Sequence, residues 1–310
     1  MESTKNLTQR VGLTRKAKRN IYYFCIMALP ILQFLVFYIY VNIESVLMAF
    51  SSYEVALGGY TQSFTIGNFK EAFALLKTRP ALFKNSLILF FVQLFISYPL
   101  ALLFSNYIYK KWAASGFFKT ILFMPQLISG LVYGIIFSFL VTDCYKFISG
   151  DTMTLLDPNR ENIARTTVII FNVLMGFGVN VLLFSGSMSN INASVVESAH
   201  LDGANNIQEF VYITLPAIYG TFVQLFIVTL SGIFTNQMGL MALYQGKDNA
   251  LATIGYYMYL QTLWSPGLTG DIGQILYPVL SAMGLMITVV VVPITLTTRK
   301  VLMKVGPSEN

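Results

Sequence analysis

Six long apolar runs decide what this chain can fold into. They lie at about 21–42, 87–107, 117–140, 166–188, 217–240 and 273–298. Each is about 20 residues or longer, enough for an α-helix to cross roughly 30 Å of hydrocarbon. Inside a bilayer no water satisfies an open backbone N–H or C=O, so segments of this kind fold as helices. The expected fold class is therefore all-α: a polytopic membrane protein with six transmembrane helices. The balance of residue types agrees. Of 310 residues, 55% are hydrophobic and 11% charged, against about 25% charged in a soluble domain.

The remaining charges mark boundaries. A net charge of +6 would suit nucleic acid, but the basic residues gather at the ends of the apolar runs, where they orient a chain in a bilayer. No nucleic-acid partner is expected. Lys5, Arg10, Arg15, Lys16, Lys18 and Arg19 precede the first run; Lys110 and Lys111 follow the second; Lys119 opens the third; Arg299, Lys300 and Lys304 follow the sixth. Six spans put both termini in the cytoplasm together with these twelve of the 20 Lys and Arg residues, the bias that the positive-inside rule requires. The expected division is a basic N-terminal segment at 1–20, a transmembrane domain at 21–298 and a cytoplasmic tail at 299–310. The first run lacks the short core and small-residue cleavage site of a signal peptide, so it is expected to stay as a span. Cys25 falls inside a run and Cys144 just outside one, so no disulfide and no metal pair is expected.

Several chemistries have no residues to run on. No charged side chain falls in the middle of a run, whereas ion-coupled carriers commonly need intramembrane Asp, Glu or His. There is no Gly-x-x-x-x-Gly-Lys-Ser/Thr phosphate loop and no His-Glu-x-x-His. The chain is not expected to be an enzyme or to bind a cofactor. Uphill transport would have to draw its energy from another subunit.

One polar interruption stands out, Ser194 to Pro216, between the fourth and fifth runs. Ser194 lies three residues before Glu197, and Asn206 three before Glu209, so each pair can form a capping box. Asp202-Gly203 reads as the turn between two short helices. Ile207, Phe210 and Val211 fall at i, i+3 and i+4, which gives the second helix an apolar face. The single histidine, His200, reads as a packing or cap residue.

This stretch resembles the cytoplasmic coupling loop, the "EAA loop", of ABC importer permeases. The pattern is Glu-Ala-Ala, three residues, Gly, nine residues, then Ile-x-Leu-Pro. Glu197-Ser198-Ala199, Gly203 and Ile213-Thr214-Leu215-Pro216 match it at that spacing, with Ser198 where Ala is usual. The Asp202-Gly203-Ala204 wording and Phe210 are similar to the subfamily that imports oligosaccharides. A looser similarity covers Gly67-Asn68-Phe69 and Phe73, between the first two spans. The resemblance implies a type I importer permease fold and one permease subunit, paired with a second. Two ATP-binding subunits would dock beneath them and use ATP and Mg. An extracytoplasmic solute-binding protein would deliver the cargo, and the site would be a bacterial cytoplasmic membrane. It implies that residues 189–216 couple to the ATPase through Glu197, Ser198, Ala199, Asp202, Gly203, Ile207, Phe210, Leu215 and Pro216. Glu197 would meet the ATPase surface, Gly203 would set the angle between the helices, and Ile207 and Phe210 would fill a groove.

The substrate path is read from polar residues inside the runs. Asn172, Gly176 and Asn180 recur every four residues on the fourth run, and Thr229, Gly232 and Asn236 share a face of the fifth. Their amides and hydroxyls beside glycines could line a path; equally, they could be packing contacts between helices. Gln93, Ser97 and Gln126 fit packing better. The neutral faces suit an uncharged polyhydroxylated solute, since a charged one would be left unpaired in a low-dielectric path. A sugar or oligosaccharide is the expected cargo. The alternatives are a non-sugar neutral solute, or a stand-alone facilitator.

Overall fold

The computed structural model describes residues 14–56, 59–237, 239–264 and 276–307. The first 13 residues of the basic segment and the start of the sixth run lie outside that set.

The chain is mostly helical. Helix α1 is Arg15–Ala49, with Thr14 accepting the Ala17 N–H at its start. Strands β1 (Ser51–Ala56) and β2 (Gly59–Phe64) form an antiparallel hairpin with Ser51 opposite Phe64. This hairpin is the one addition to the all-helical expectation among the described residues. Helix α2, Gly67–Thr78, follows. Its Asn68 is buried and donates to the Ala49 and Ser51 carbonyls, both at 2.9 Å. That amide satisfies the Ala49 carbonyl at the end of α1, where the helix can no longer do so, and ties it to the start of β1 at Ser51.

Helix α3 is Pro80–Tyr109. The third apolar run is not one helix. It divides into α4 (Ser115–Phe123), a tight turn at Met124–Leu127 containing Pro125, and α5 (Gly130–Ser149). Proline cannot donate to the helical ladder and clashes with the preceding turn, so the run breaks where a single span over 117–140 was expected. Helix α6 is Pro158–Met188. It crosses α4 closely: a Cβ on Gly178 would lie 2.1 Å from the Leu122 carbonyl oxygen.

The fourth-to-fifth connection holds α7 (Ala193–Leu201) and α8 (Asn206–Ala217). Helix α9, Tyr219–Ser231, leaves α8 at a 63° bend. The fifth run is thus shorter as a helix than 217–240 suggested, since the chain turns at 232–235. The connection between the fifth and sixth runs, about 241–271, reads in the sequence as an outer loop; two more helices instead occupy it, α10 (Leu240–Tyr244), which starts on the last residue of the fifth run, and α11 (Ile254–Trp264). Their Leu240, Leu243, Ile254, Tyr256 and Leu260 are buried in the main core. Helix α12 is Tyr277–Val305. Among the described residues five helices are long and apolar enough to cross a membrane, and the bent pair α8–α9 makes up to six.

Among the described residues, two apolar clusters hold the bundle. The larger joins α3, α6, α10, α11 and α12 around Phe171, Tyr256 and Met283. The smaller joins α3, α6 and the start of α9 around Tyr98, Phe184, Met188 and Ile218, with Phe210 and Leu215 packed against it. The smaller cluster lies at the α7–α8 end, so the loop grows directly from a packed base. Helix α1 is different: no residue of Arg15–Gln33 is buried. In a bilayer such a helix meets lipid or another subunit along its length.

Candidate coupling loop and polar cavity

The loop is built from local capping. Helix α7 ends in a Schellman motif: the Gly203 N–H reaches the His200 carbonyl at 3.1 Å, and the Ala204 N–H reaches the Ala199 carbonyl at 2.9 Å. This motif needs a left-handed residue, and Gly203 supplies it with φ +84°. The predicted turn is there. The predicted caps are displaced. Helix α7 is capped by Asn192, which accepts the Ser194 N–H at 3.1 Å. Ser194 is not the cap and Glu197 is not its partner. Helix α8 is capped by Asn205, which accepts from Ile207 and Gln208, while Gln208 accepts the Asn205 N–H at 2.9 Å. This capping box lies one residue before the expected Asn206–Glu209 pair. The sequence allowed both registers, since asparagine and an N3 amide or carboxylate occur in each.

Glu209 is free for another purpose. It is 0% exposed. Its Oε2 accepts from Lys110 Nζ, just past the end of α3, and lies 3.0 Å from His200 Nε2 at the end of α7. Sequence reading assigned Glu209 to a cap and missed this pair, because nothing local signals a partner 99 positions away.

The surface of the loop mixes polar and apolar side chains. Glu197, Ser198, Asp202 and Gly203 are exposed, and the Ser198 hydroxyl turns back to the Ser194 carbonyl at 2.8 Å. Ala199 is half-buried. Leu201 is 89% exposed, Ile207 74% and Tyr212 75%. Leu201 and Tyr212 were not among the expected residues. Phe210 and Leu215 face the other way, against the smaller cluster, so Ile207 and Phe210 do not share an outward face. A π-type turn follows at Phe210–Thr214. Pro216 is exposed and lines a cavity of about 890 Å³ between α9 and α12 that also meets Gln224 and Arg299.

The intramembrane polar residues divide. Asn172 and Gly176 line a cavity of about 250 Å³ together with Gln93, Phe171, Met175 and Gly239. The Asn172 amide donates to the Val168 carbonyl at 2.9 Å. Asn180, one turn on, is buried, and its amide nitrogen has no partner. Thr229, Gly232 and Asn236 do not join this cavity. Thr229 meets the Tyr98 hydroxyl, Gly232 ends α9, and Asn236 lies in the irregular segment beyond, its carbonyl accepting from Thr253 at 3.3 Å. Gln93, expected to serve packing, lines the cavity instead, whereas the Gln126 amide donates to the Met175 carbonyl. Among the described residues no group of three or more His, Cys, Asp or Glu could hold a metal ion.

A multi-pass helical bundle that projects a capped helix pair from a packed base, with apolar side chains turned outward, has the architecture of the membrane component of a transport system. The chain belongs to the binding-protein-dependent transport system inner membrane component family, whose model matches residues 85–302. It is 28% identical over 180 residues to a probable ABC transporter permease protein of Mycoplasma pneumoniae, covering 56% of this chain and 54% of that one. It is 26% identical over 245 residues to the arabinooligosaccharides transport system permease protein AraP of Bacillus subtilis, covering 75% of this chain and 76% of that one. The first of these relatives is therefore matched over about half its length. Among solved structures it is similar to a chain of a bacterial alginate ABC transporter in complex with an alginate pentasaccharide-bound periplasmic protein. There the identity is 22%, the TM-score 0.71, and the coverage 94% of this chain and 99% of that one. The fold is that of an ABC importer permease.

Proposed function

We propose that this chain is one permease subunit of an ATP-driven importer for a sugar or oligosaccharide, coupled to a separate ATPase through residues 194–216. The observation that carries the reading is the loop itself. It is rigidly capped at Asn192, Gly203 and Asn205 and seated on buried Glu209, yet it turns Leu201, Ile207 and Tyr212 outward. Exposed apolar groups on an ordered polar loop mark a protein contact. Glu197, Ser198, Ala199, Asp202 and Gly203 form the rim of that contact, while Phe210, Leu215 and Pro216 hold its base to the bundle. Both termini and the loop then lie in the cytoplasm of a bacterial cell. A second permease completes the path, two ATP-binding subunits use ATP and Mg, and a solute-binding protein delivers the cargo from outside.

Asn172, Gly176 and Asn180, with Gln93, are this chain's share of the substrate path. Thr229, Gly232 and Asn236 serve the packing of α9 and the segment after it. The arabinooligosaccharide relative supports a carbohydrate, and the uncharged lining of the cavity suits a neutral polyol over an ion. The test is reconstitution of the co-purified complex in liposomes with its binding protein. ATP hydrolysis should rise with oligosaccharides and not with amino acids or phosphate. Solute flux through the isolated chain without ATPase would favour a facilitator and sink this reading.

A further inference from the structure

The coupling loop meets the bundle at one buried carboxylate. Glu209 sits at the start of the π-type turn in α8 and is wholly buried. Its Oε2 is shared by Lys110, which is 14% exposed, and by His200. The three groups come from just past the end of α3, the end of α7 and the first turn of α8. Helix α3 is tied onward to the rest of the path. The Ser105 hydroxyl donates to the Val181 carbonyl of α6 at 3.0 Å, and the Tyr98 hydroxyl donates to the Leu225 carbonyl of α9 at 3.0 Å.

We propose that Glu209 is a positioning residue that fastens both loop helices to α3, so that the loop and α3 move as one body when the ATPase pulls. This rests on the coupling role proposed for residues 194–216. The physical argument is directional. The α8–α9 junction is bent by 63° at Ile218, and a hinge of that kind absorbs displacement. A loop joined to the bundle only through that bend would flex there. The Lys110–Glu209–His200 cluster bypasses the bend. A buried carboxylate stripped of its cation is costly, so the joint resists separation. Force on Leu201 or Ile207 then passes through Glu209 and Lys110 into α3, and from α3 to α6 and α9 through Ser105 and Tyr98.

The test uses the complete complex. Cys25 and Cys144 are replaced by Ser, and spin labels are placed at Asn206→Cys on α8 and Leu103→Cys on α3, both exposed. The distance between them should stay the same when ATP is added, with hydrolysis followed on the same sample. A second variant, Lys110→Met/Glu209→Leu, removes the charges and keeps the volume. Apolar replacement of a whole buried pair is commonly tolerated, so this variant should assemble with the ATPase. Solute imported per ATP should nevertheless fall about tenfold, a size typical of coupling between sites, and the label distance should change with nucleotide. The exchanged pair, Lys110→Glu/Glu209→Lys, should recover part of the loss. A native distance that shifts with ATP, or normal import per ATP in the apolar variant, overturns the proposal. Failure of any ATPase to purify with the native chain would bring down the coupling reading as well; a bound ATPase with a shifting distance would bring down the fastening alone.

Discussion

Lys110 and Glu209 form an ion pair in which the carboxylate is fully buried and the ammonium nearly so, at 0% and 14% exposure. Removing one partner leaves the other without compensation. Lys110→Met alone should therefore destabilise the chain by about 3–5 kcal/mol. The double change to Met and Leu should lie close to the native protein. Melting of the purified subunit in detergent measures both, and equal destabilisation by the single and double variants would show that volume, not charge, governs the site.

The turn at Gly203 rests on backbone conformation. No atom outside its neighbours lies within 4 Å of a Cβ placed there, but its φ is +84°. Gly203→Ala should thus cost only about 1–2 kcal/mol, the left-handed penalty of an L-residue. It should insert normally and lower uptake in part. Gly203→Pro cannot adopt the conformation and loses the N–H that meets His200. It should abolish uptake while the protein still reaches the membrane, as followed by membrane fractionation and labelled-solute import.

The outward apolar residues of the loop make a separate prediction. Burying a side chain such as Leu or Ile contributes about 1.5–3 kcal/mol. Leu201→Ser and Ile207→Ser should each weaken ATPase binding by about 10–150-fold on that basis. The melting temperature of the isolated subunit should not move, because neither side chain packs against its own chain. Phe210→Ser should do the reverse, lowering the melting temperature first. Co-purification and melting read the two effects on the same preparations.

The connection from α5 to α6 is clasped by Asp151, just past α5, and Arg160, at the start of α6, 2.6 Å apart. The Met153 backbone N–H, and then Arg160, hold the Asp151 carboxyl below its ordinary value of 3.8. A carboxylate with a lowered folded value adds stability above its unfolded value and loses it as pH falls through the folded one. Amide exchange in residues 150–161 should therefore stay slow above pH 3.8 and quicken only below it. Arg160→Gln should shift that onset upward. An onset that does not move would remove Arg160 from the account.

Much of this was legible in the amino-acid order because membrane physics is local. Long apolar runs, boundary lysines and the Gly203 turn each act within a few residues of themselves. What was hidden depends on meetings across the chain. Pro125 signalled a weakness in the third run, but whether it kinks or breaks a helix depends on the neighbours. The stretch from 241 to 264 read as a loop because its helices are short and its burial comes from α3, α5 and α12. The caps slipped by one or two residues because Asn192, Ser194, Asn205 and Asn206 all suit the position. The role of Glu209 needed Lys110, and the exposure of Leu201 and Tyr212 needed the direction of each helix face.

Two glycines two residues apart, on opposite faces of α6, give the sharpest contrast between packing and path. A Cβ on Gly178 would come within 2.1 Å of the Leu122 carbonyl oxygen, a backbone atom that cannot step aside. A Cβ on Gly176 meets nothing nearer than 3.6 Å, and what it meets are the amides of Asn180 and Gln93. Gly178→Ala should force α4 and α6 apart, at a cost of about 1–3 kcal/mol for overpacking, and should lower the melting temperature of the purified subunit. Gly176→Ala should leave it unchanged, since the methyl makes only ordinary van der Waals contacts. That methyl projects into the 250 Å³ cavity lined by Gln93 and Asn172. If solute passes there, import should slow for the largest oligosaccharides before the smallest, because a narrowed path discriminates by size. Import by the Gly176→Ala complex that is slowed equally for all sizes, or not at all, would separate this cavity from the route of the solute.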